Sequence, residues 1–263
     1  MADFTAGGFL ADDLTEFRKN VRIKHAIDFS HMERTNALAM RILWTLPLAD
    51  LDDAKAHAIM CYTRAVQSFQ GVILMAERGA MTEARILLRA LAETLFLALG
   101  LFEKPDMLAR LQEDHAAHRK GVANAIIDMN SAGKTGADIS RFEQEVKDVR
   151  TRYGDKPRSI KWSALAYEVG VGEIHEAAYR FTSGDAAHAT LASLNRHVKA
   201  KDGGDLHQFI FKPTDDDLGW TFRAALASMV KLMELAVTKM SASRFEQDLQ
   251  NLILELRVYC STI

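Results

Sequence analysis

From Asp52 onward, apolar side chains return at helical spacing: Ala58, Ile59, Tyr62, Val66, Phe69, Val72 and Ile73 share one stripe as far as Gly79. Asp52 stands where an N-cap belongs and Gly79 where a helix stops. A second run, "EARILLRALAETLFLALGLF" at 83–102, begins a few residues later and ends before Pro105. So short a connection predicts two antiparallel neighbours. The second run is nearly all apolar, yet Arg85, Arg89 and Glu93 recur every four residues and form a charged stripe along one helix face.

The rest of the chain has the same period. Residues 9–46 predict one long or two shorter amphipathic helices, and 106–129 a more polar one. "NSAGKTGAD" marks a loop. "SRFEQEV" at 140 and "SRFEQDL" at 243 each set Ser three residues before Glu, the capping-box spacing. A basic linker, "GDKPRSIKW", precedes short helices near 163–169 and 173–182. Asp185 is placed to cap a further helix running to about Val198. "LHQFIF" suggests a short extended piece, and "TDDD" opens a helix to about Met240 with acids at its positive end. Few runs alternate in β-branched residues, so the fold class is all-α: a single-domain antiparallel helical bundle with an apolar central helix pair. Residues 1–50 form an N-terminal helical extension, 51–240 the bundle core, and 241–263 a C-terminal helix packed on the same domain.

Composition narrows the possibilities. With 263 residues, 48% of them hydrophobic, the chain is long enough to bury a sizeable core. Its 33 Lys and Arg nearly cancel 35 Asp and Glu, which excludes a general basic field for nucleic acid. Residues 86–102 approach the length of a membrane span, but Arg89 and Glu93 would lie in its middle at roughly 2.5 to 3.5 kcal/mol each. No membrane association is expected. The opening "MADFTAGGFLADDLTEF" carries acids where a secretory signal is basic, so the expected location is cytoplasmic. Cys61 and Cys260 lack metal-ligand spacing and read as free thiols. Apolar bundles often complete their cores across a two-fold axis, so a homodimer is expected.

Burying an Arg is costly without a partner. The stripe is therefore either a structural ion pair or the wall of a polar pocket for an anion. His188, in the first turn after Asp185, suits acid/base chemistry or a structural hydrogen bond, and Tyr179 and Ser183 add hydroxyls upstream. "RLQEDHAAH" supplies Arg110, Asp114, His115 and His118. Its Arg and His, separated by four residues, resemble the signature of HEPN ribonucleases, which implies phosphate binding by Arg and proton transfer by His. On a straight helix, residues five apart point about 140° from each other, so one shared site would need a bend or an interface. No Glu-x-x-His pair, Gly-rich phosphate loop, Gly-x-Ser-x-Gly elbow or paired Cys occurs, and no metal or cofactor is expected. "KDVRTRYGDKPRSIKW" is the best local basic patch for RNA, or else a solvated linker.

Three segments, "RGAMTEARILLRALAETLFLAL", "KWSALA" and "YRFTSGDAAHATLASL", together resemble the bacterial domain-of-unknown-function family numbered 5677 over roughly residues 55–240. The resemblance implies a helical fold and polar positions at Arg89, Glu93, Tyr179 and His188. Two functional classes follow. One is a metal-independent ribonuclease or toxin-like effector, with Arg89 or Arg110 on phosphate charge and Glu93, His188 or His118 in the reacting site. The other is a non-enzymatic module that binds a small anionic ligand through Arg85, Arg110, Tyr179 and Ser183, or that organises a dimer.

Overall fold

The computed structural model describes residues 3–12, 14–47, 49, 51–134, 138–183, 190–200 and 206–261. The N-terminal part holds α1 (Phe4–Gly7), a 3-10 turn (Gly8–Leu10), α2 (Leu14–Lys24) and α3 (Ala26–Leu43), so the first expected helix breaks at His25. Then come α4 (Asp53–Glu77), α5 (Met81–Glu103), α6 (Met107–Ser131), α7 (Ser140–Tyr153) and α8 (Trp162–Glu168). A composite helix follows: α9 (Gly172–Ile174), a π turn (His175–Arg180) and α10 (Phe181–Ser183). After α11 (Leu191–Asn195) come β1 (Val198–Ala200), β2 (Leu206–Phe209), α12 (Leu218–Lys239), a 3-10 turn (Ser243–Phe245) and α13 (Glu246–Ser261). The chain is an all-α bundle bearing one small antiparallel hairpin.

The core lies where α4 and α5 pack along their length and α12 and α3 close over them. Tyr62, Phe69, Leu88, Leu91, Leu95, Phe96 and Phe222 are fully buried there. Each such side chain contributes roughly 1.5 to 3 kcal/mol through removal from water. Asp52 caps α4 by accepting the Lys55 amide at 2.8 Å. At the other end Gly79 turns the chain with φ +74°, and a Cβ there would lie 2.6 Å from Pro213 and 2.8 Å from Phe17. Gly79→Ala is therefore expected to lower stability by at least about 2 kcal/mol, from left-handed strain plus overlap. A thermal midpoint matching the wild type would refute this account of the α4–α5 turn.

Three local expectations need correction. Neither capping box forms: Asp138 accepts the Ser140 amide at 2.9 Å instead, and Ser243 sits in a 3-10 turn that precedes α13. The box that does form pairs Thr190 with Ser193 at the start of α11. Val198 belongs to a strand rather than a helix, because it pairs with Phe209 in the hairpin that "LHQFIF" helps to build. Asp185, expected as a cap, falls outside the described residues.

Two buried groups give further expectations. Burial pushes the Cys61 thiol up to about 12, so it should resist thiol reagents at pH values near 8 until the protein unfolds. Rapid labelling of the native Cys61 peptide, read by mass spectrometry, would contradict this. The Glu77 carboxyl is also buried; burial opposes its ionisation, but Arg22 and Arg18 outweigh that and hold it below its ordinary value of 4.5. A depressed carboxylate stabilises the fold above its unfolded value, and the contribution is lost as pH falls through the folded one. Glu77→Gln should cost about 1 to 3 kcal/mol at neutral pH and flatten the acid side of the midpoint-against-pH curve below 4.5. An unchanged acid side would show that Glu77 does not drive it.

Candidate functional site

The charged stripe of α5 faces two different neighbours. Arg85 is only 1% exposed, and its Nη2 donates to the Asp216 carbonyl at 3.1 Å and to Asp217 Oδ2 at 3.0 Å. Asp217 caps α12 with φ 60°, a left-handed conformation that Asp tolerates better than most side chains. Arg196 Nη2 approaches the same carboxylate at 3.9 Å. Arg85 thus ties the middle of the core to the entrance of α12.

One turn on, Arg89 meets the π turn. Its Nε donates to Glu93 Oε1 at 3.1 Å and its Nη2 to the Tyr179 hydroxyl at 2.7 Å. The guanidinium also lies over the Tyr179 ring, 4.2 Å from the centroid, a favourable cation–π arrangement. Because the Tyr179 oxygen accepts from Arg89, its own proton is left for another acceptor. Arg89 and Glu93 have side chains 18% and 28% exposed, so the site lies at the edge of the core. An i, i+4 ion pair this open contributes roughly 0.3 to 0.5 kcal/mol, so Glu93 is a weak and replaceable partner for Arg89.

The π turn sets the other side. Its register is defined by the Phe181 amide donating to the Glu176 carbonyl, five residues back. His175 and Tyr179 stack with ring centroids 5.0 Å apart, while Phe96 and Tyr167 stand 6.2 and 6.0 Å from the imidazole. His175 Nδ1 lies 3.0 Å from Glu176 Oε1. Glu176 also accepts from Tyr167 at 2.9 Å and from Arg180 at 3.0 Å, and these donors, His175 foremost, hold its carboxyl below the usual range. Glu176 is therefore a carboxylate at neutral pH.

Of the expected site residues, Arg89, Glu93 and Tyr179 come together, and Arg85 lies one turn away with different partners. Ser183 ends α10, and His188 falls outside the described residues. Arg110 pairs with Glu168 at 2.8 Å, beside a groove of about 540 Å³ against the 158–161 linker. His115 lines a separate groove of about 410 Å³ between α6 and α7, and His118 is exposed on α6. The straight helix keeps Arg110 and His115 on different faces, as the 140° offset requires. The basic linker is held by acids: Arg150 pairs with Asp155, and Glu113 takes the Arg158 side chain and amide. Sequence reading missed His175, Glu176 and Tyr167. The available signal was "HEAAY", which sets His four residues before Tyr on the Tyr179 face.

A second polar cluster, away from α5, joins three helices. His25 bridges Asp28 at 3.2 Å and Asp215 at 2.8 Å, and Tyr259 donates to Asp28. His31 packs its ring on Tyr259, with centroids 4.5 Å apart. Among the described residues no three His, Cys, Asp or Glu side chains converge as a metal site, and no helix is long and apolar enough to cross a membrane.

Fold and site together define a helical-bundle protein with an Arg–Tyr–His cluster between its central helix and a π turn. The model of a family of unknown function, DUF5677, matches residues 55–205, more than half of the chain, and the chain belongs to that family. The matched span contains nearly all of α4, all of α5 and the whole π turn. No curated protein and no solved structure matches.

Proposed function

We propose that the chain is a binding module for a small anion of the phosphate or carboxylate class, seated at Arg89. The observation that supports it is the posture of Arg89: its guanidinium lies over the Tyr179 ring and donates to the Tyr179 hydroxyl and to Glu93 at the rim of an apolar core. A guanidinium recognises a planar pair of oxygens through paired N–H groups, and an incoming anion would take the place of the Glu93 carboxylate. Arg85, one turn away on the same helix, adds positive charge, against Glu93 and Asp217.

The reading is tested by titrating the protein with inorganic phosphate in a calorimeter. Saturable binding of one anion per chain supports it, and Arg89→Lys should weaken binding at least about tenfold because an ammonium neither stacks on Tyr179 nor forms the fork. Equal binding by wild type and the Lys variant would refute it. A ribonuclease or toxin-like effector working through Arg110 with His115 or His118 draws less support from the geometry, since Arg110 and His115 line separate grooves and His118 lies about two helical turns beyond Arg110. Any effector chemistry would instead centre on Arg89.

A further inference from the structure

α3 and α12 cover one side of the α4–α5 pair, and the opposite side is open. Helical period puts Met60, Gln67 and Leu74 of α4 on that open side, with Ile86, Ala90 and Leu97 of α5 beside them. Met60, Leu74 and Ile86 are exposed although each is apolar, and Ala90 and Leu97 are only partly covered. Contiguous apolar surface of this kind marks an interaction site. The same side carries two charges: Arg64 and Glu83 are both exposed, and neither makes a hydrogen bond or ion pair with a described residue. Gly71 lies against Leu87, where an added Cβ would come 2.7 Å from Leu87 Cδ1, so these two positions share one level of the antiparallel pair. From that level Arg64 is seven residues away from the turn and Glu83 four residues towards it. At about 1.5 Å per residue the two are roughly 16 Å apart along the pair, too far for an ion pair within one chain.

We propose that this face is the interface of a two-fold homodimer, with a second copy of the chain as its occupant. An axis running across the helices, between Gln67 and Gly71 of α4 and between Leu87 and Ala90 of α5, reverses the direction of the second pair. Arg64 of each copy then comes level with Glu83 of the other, and two symmetric ion pairs flank the apolar centre. An axis parallel to the helices would set Arg64 level with Thr94 instead, so the charges select the antiparallel arrangement. Ala90 is small and lies beside the axis, where packed helices approach to about 8 to 10 Å. A strip about 30 Å long and about 20 Å wide gives roughly 600 Å² per copy and about 1,200 Å² in the pair, which clears the size that specific interfaces need. Arg89 turns towards Tyr179 on the π turn, so the dimer stands whether or not Arg89 binds an anion.

Sedimentation equilibrium of the full chain between about 1 and 200 μM tests the proposal, and the expected result is the dimer mass at the upper end of that range. Leu74→Glu should return the chain to monomer. Arg64→Glu or Glu83→Arg alone should each weaken association at least about tenfold, since like charges then face each other across the axis. An equimolar mixture of those two variants should form a heterodimer about as tight as the wild type, because each chain supplies the charge that the other needs. Circular dichroism shows whether each variant folds, and the two exposed charge variants carry the test if Leu74→Glu does not. Wild-type protein that stays monomeric throughout overturns the interface. So does a dimer that all three substitutions leave intact, because it would lie on another face. A mixture that associates no better than its parts overturns the two-fold pairing of Arg64 with Glu83. A monomer that sediments with phosphatidylcholine vesicles would give the face to a lipid surface, and that result also defeats the proposal.

Discussion

Replacing Arg85 with alanine is expected to destabilise the fold by about 3 kcal/mol, the scale on which truncating a long, fully buried side chain costs a helical core. The guanidinium is 1% exposed and supplies donors to the Asp216 carbonyl and the Asp217 carboxylate. Removing it leaves a void in the α5 face and strips the left-handed Asp217 cap of a partner. For a domain of this size the thermal midpoint should fall by roughly 6 to 12 °C. Asp217→Asn should cost less, since Asp217 is half exposed and its side-chain oxygen still accepts. If Arg85→Ala melted with the wild type, Arg85 would not be the tie between the core and α12.

The second large effect falls on binding. Arg89→Ala should abolish phosphate binding in the measurable range, because an anion that replaces Glu93 at Arg89 would lose its charged hydrogen bonds, each contributing about 1.5 to 3 kcal/mol. Its effect on stability should be smaller than that of Arg85→Ala, since the Arg89 side chain is 18% exposed against 1% for Arg85. Opposite responses at positions four apart on one helix would separate structure from site. Comparable destabilisation by both substitutions, with phosphate affinity intact in Arg89→Ala, would return the whole stripe to a structural role.

That division was only half legible in the sequence. Helical period placed α4 and α5 and the stripe on α5, because burial imposes a 3.6-residue pattern that any reader can count. It could not show that Arg85 and Arg89 turn to different partners, since Asp217 is 132 residues from one and Tyr179 is 90 from the other. The π turn left no composition signal: "HEAAYR" reads as an ordinary helix, and only an i to i+5 bond reveals the extra residue per turn. His175 was passed over for the same reason. A His is ambiguous until its two nitrogens have neighbours, and Glu176, Tyr167 and Tyr179 become neighbours only through the fold. Spacing misled at Arg110 and His115, where a matching interval lies on opposite sides of a straight helix. At Ser140 a capping pattern lost to Asp138, two residues earlier.

The central claim is that Arg89, on its Tyr179 platform, is an anion site. A crystal of the protein soaked in inorganic phosphate tests it most directly. The account predicts density for a single tetrahedral anion within hydrogen-bond distance of the Arg89 guanidinium and the Tyr179 hydroxyl, with Glu93 displaced or shared. An unaltered Arg89–Glu93 pair, with phosphate absent or bound elsewhere at concentrations that saturate the protein in solution, would contradict it.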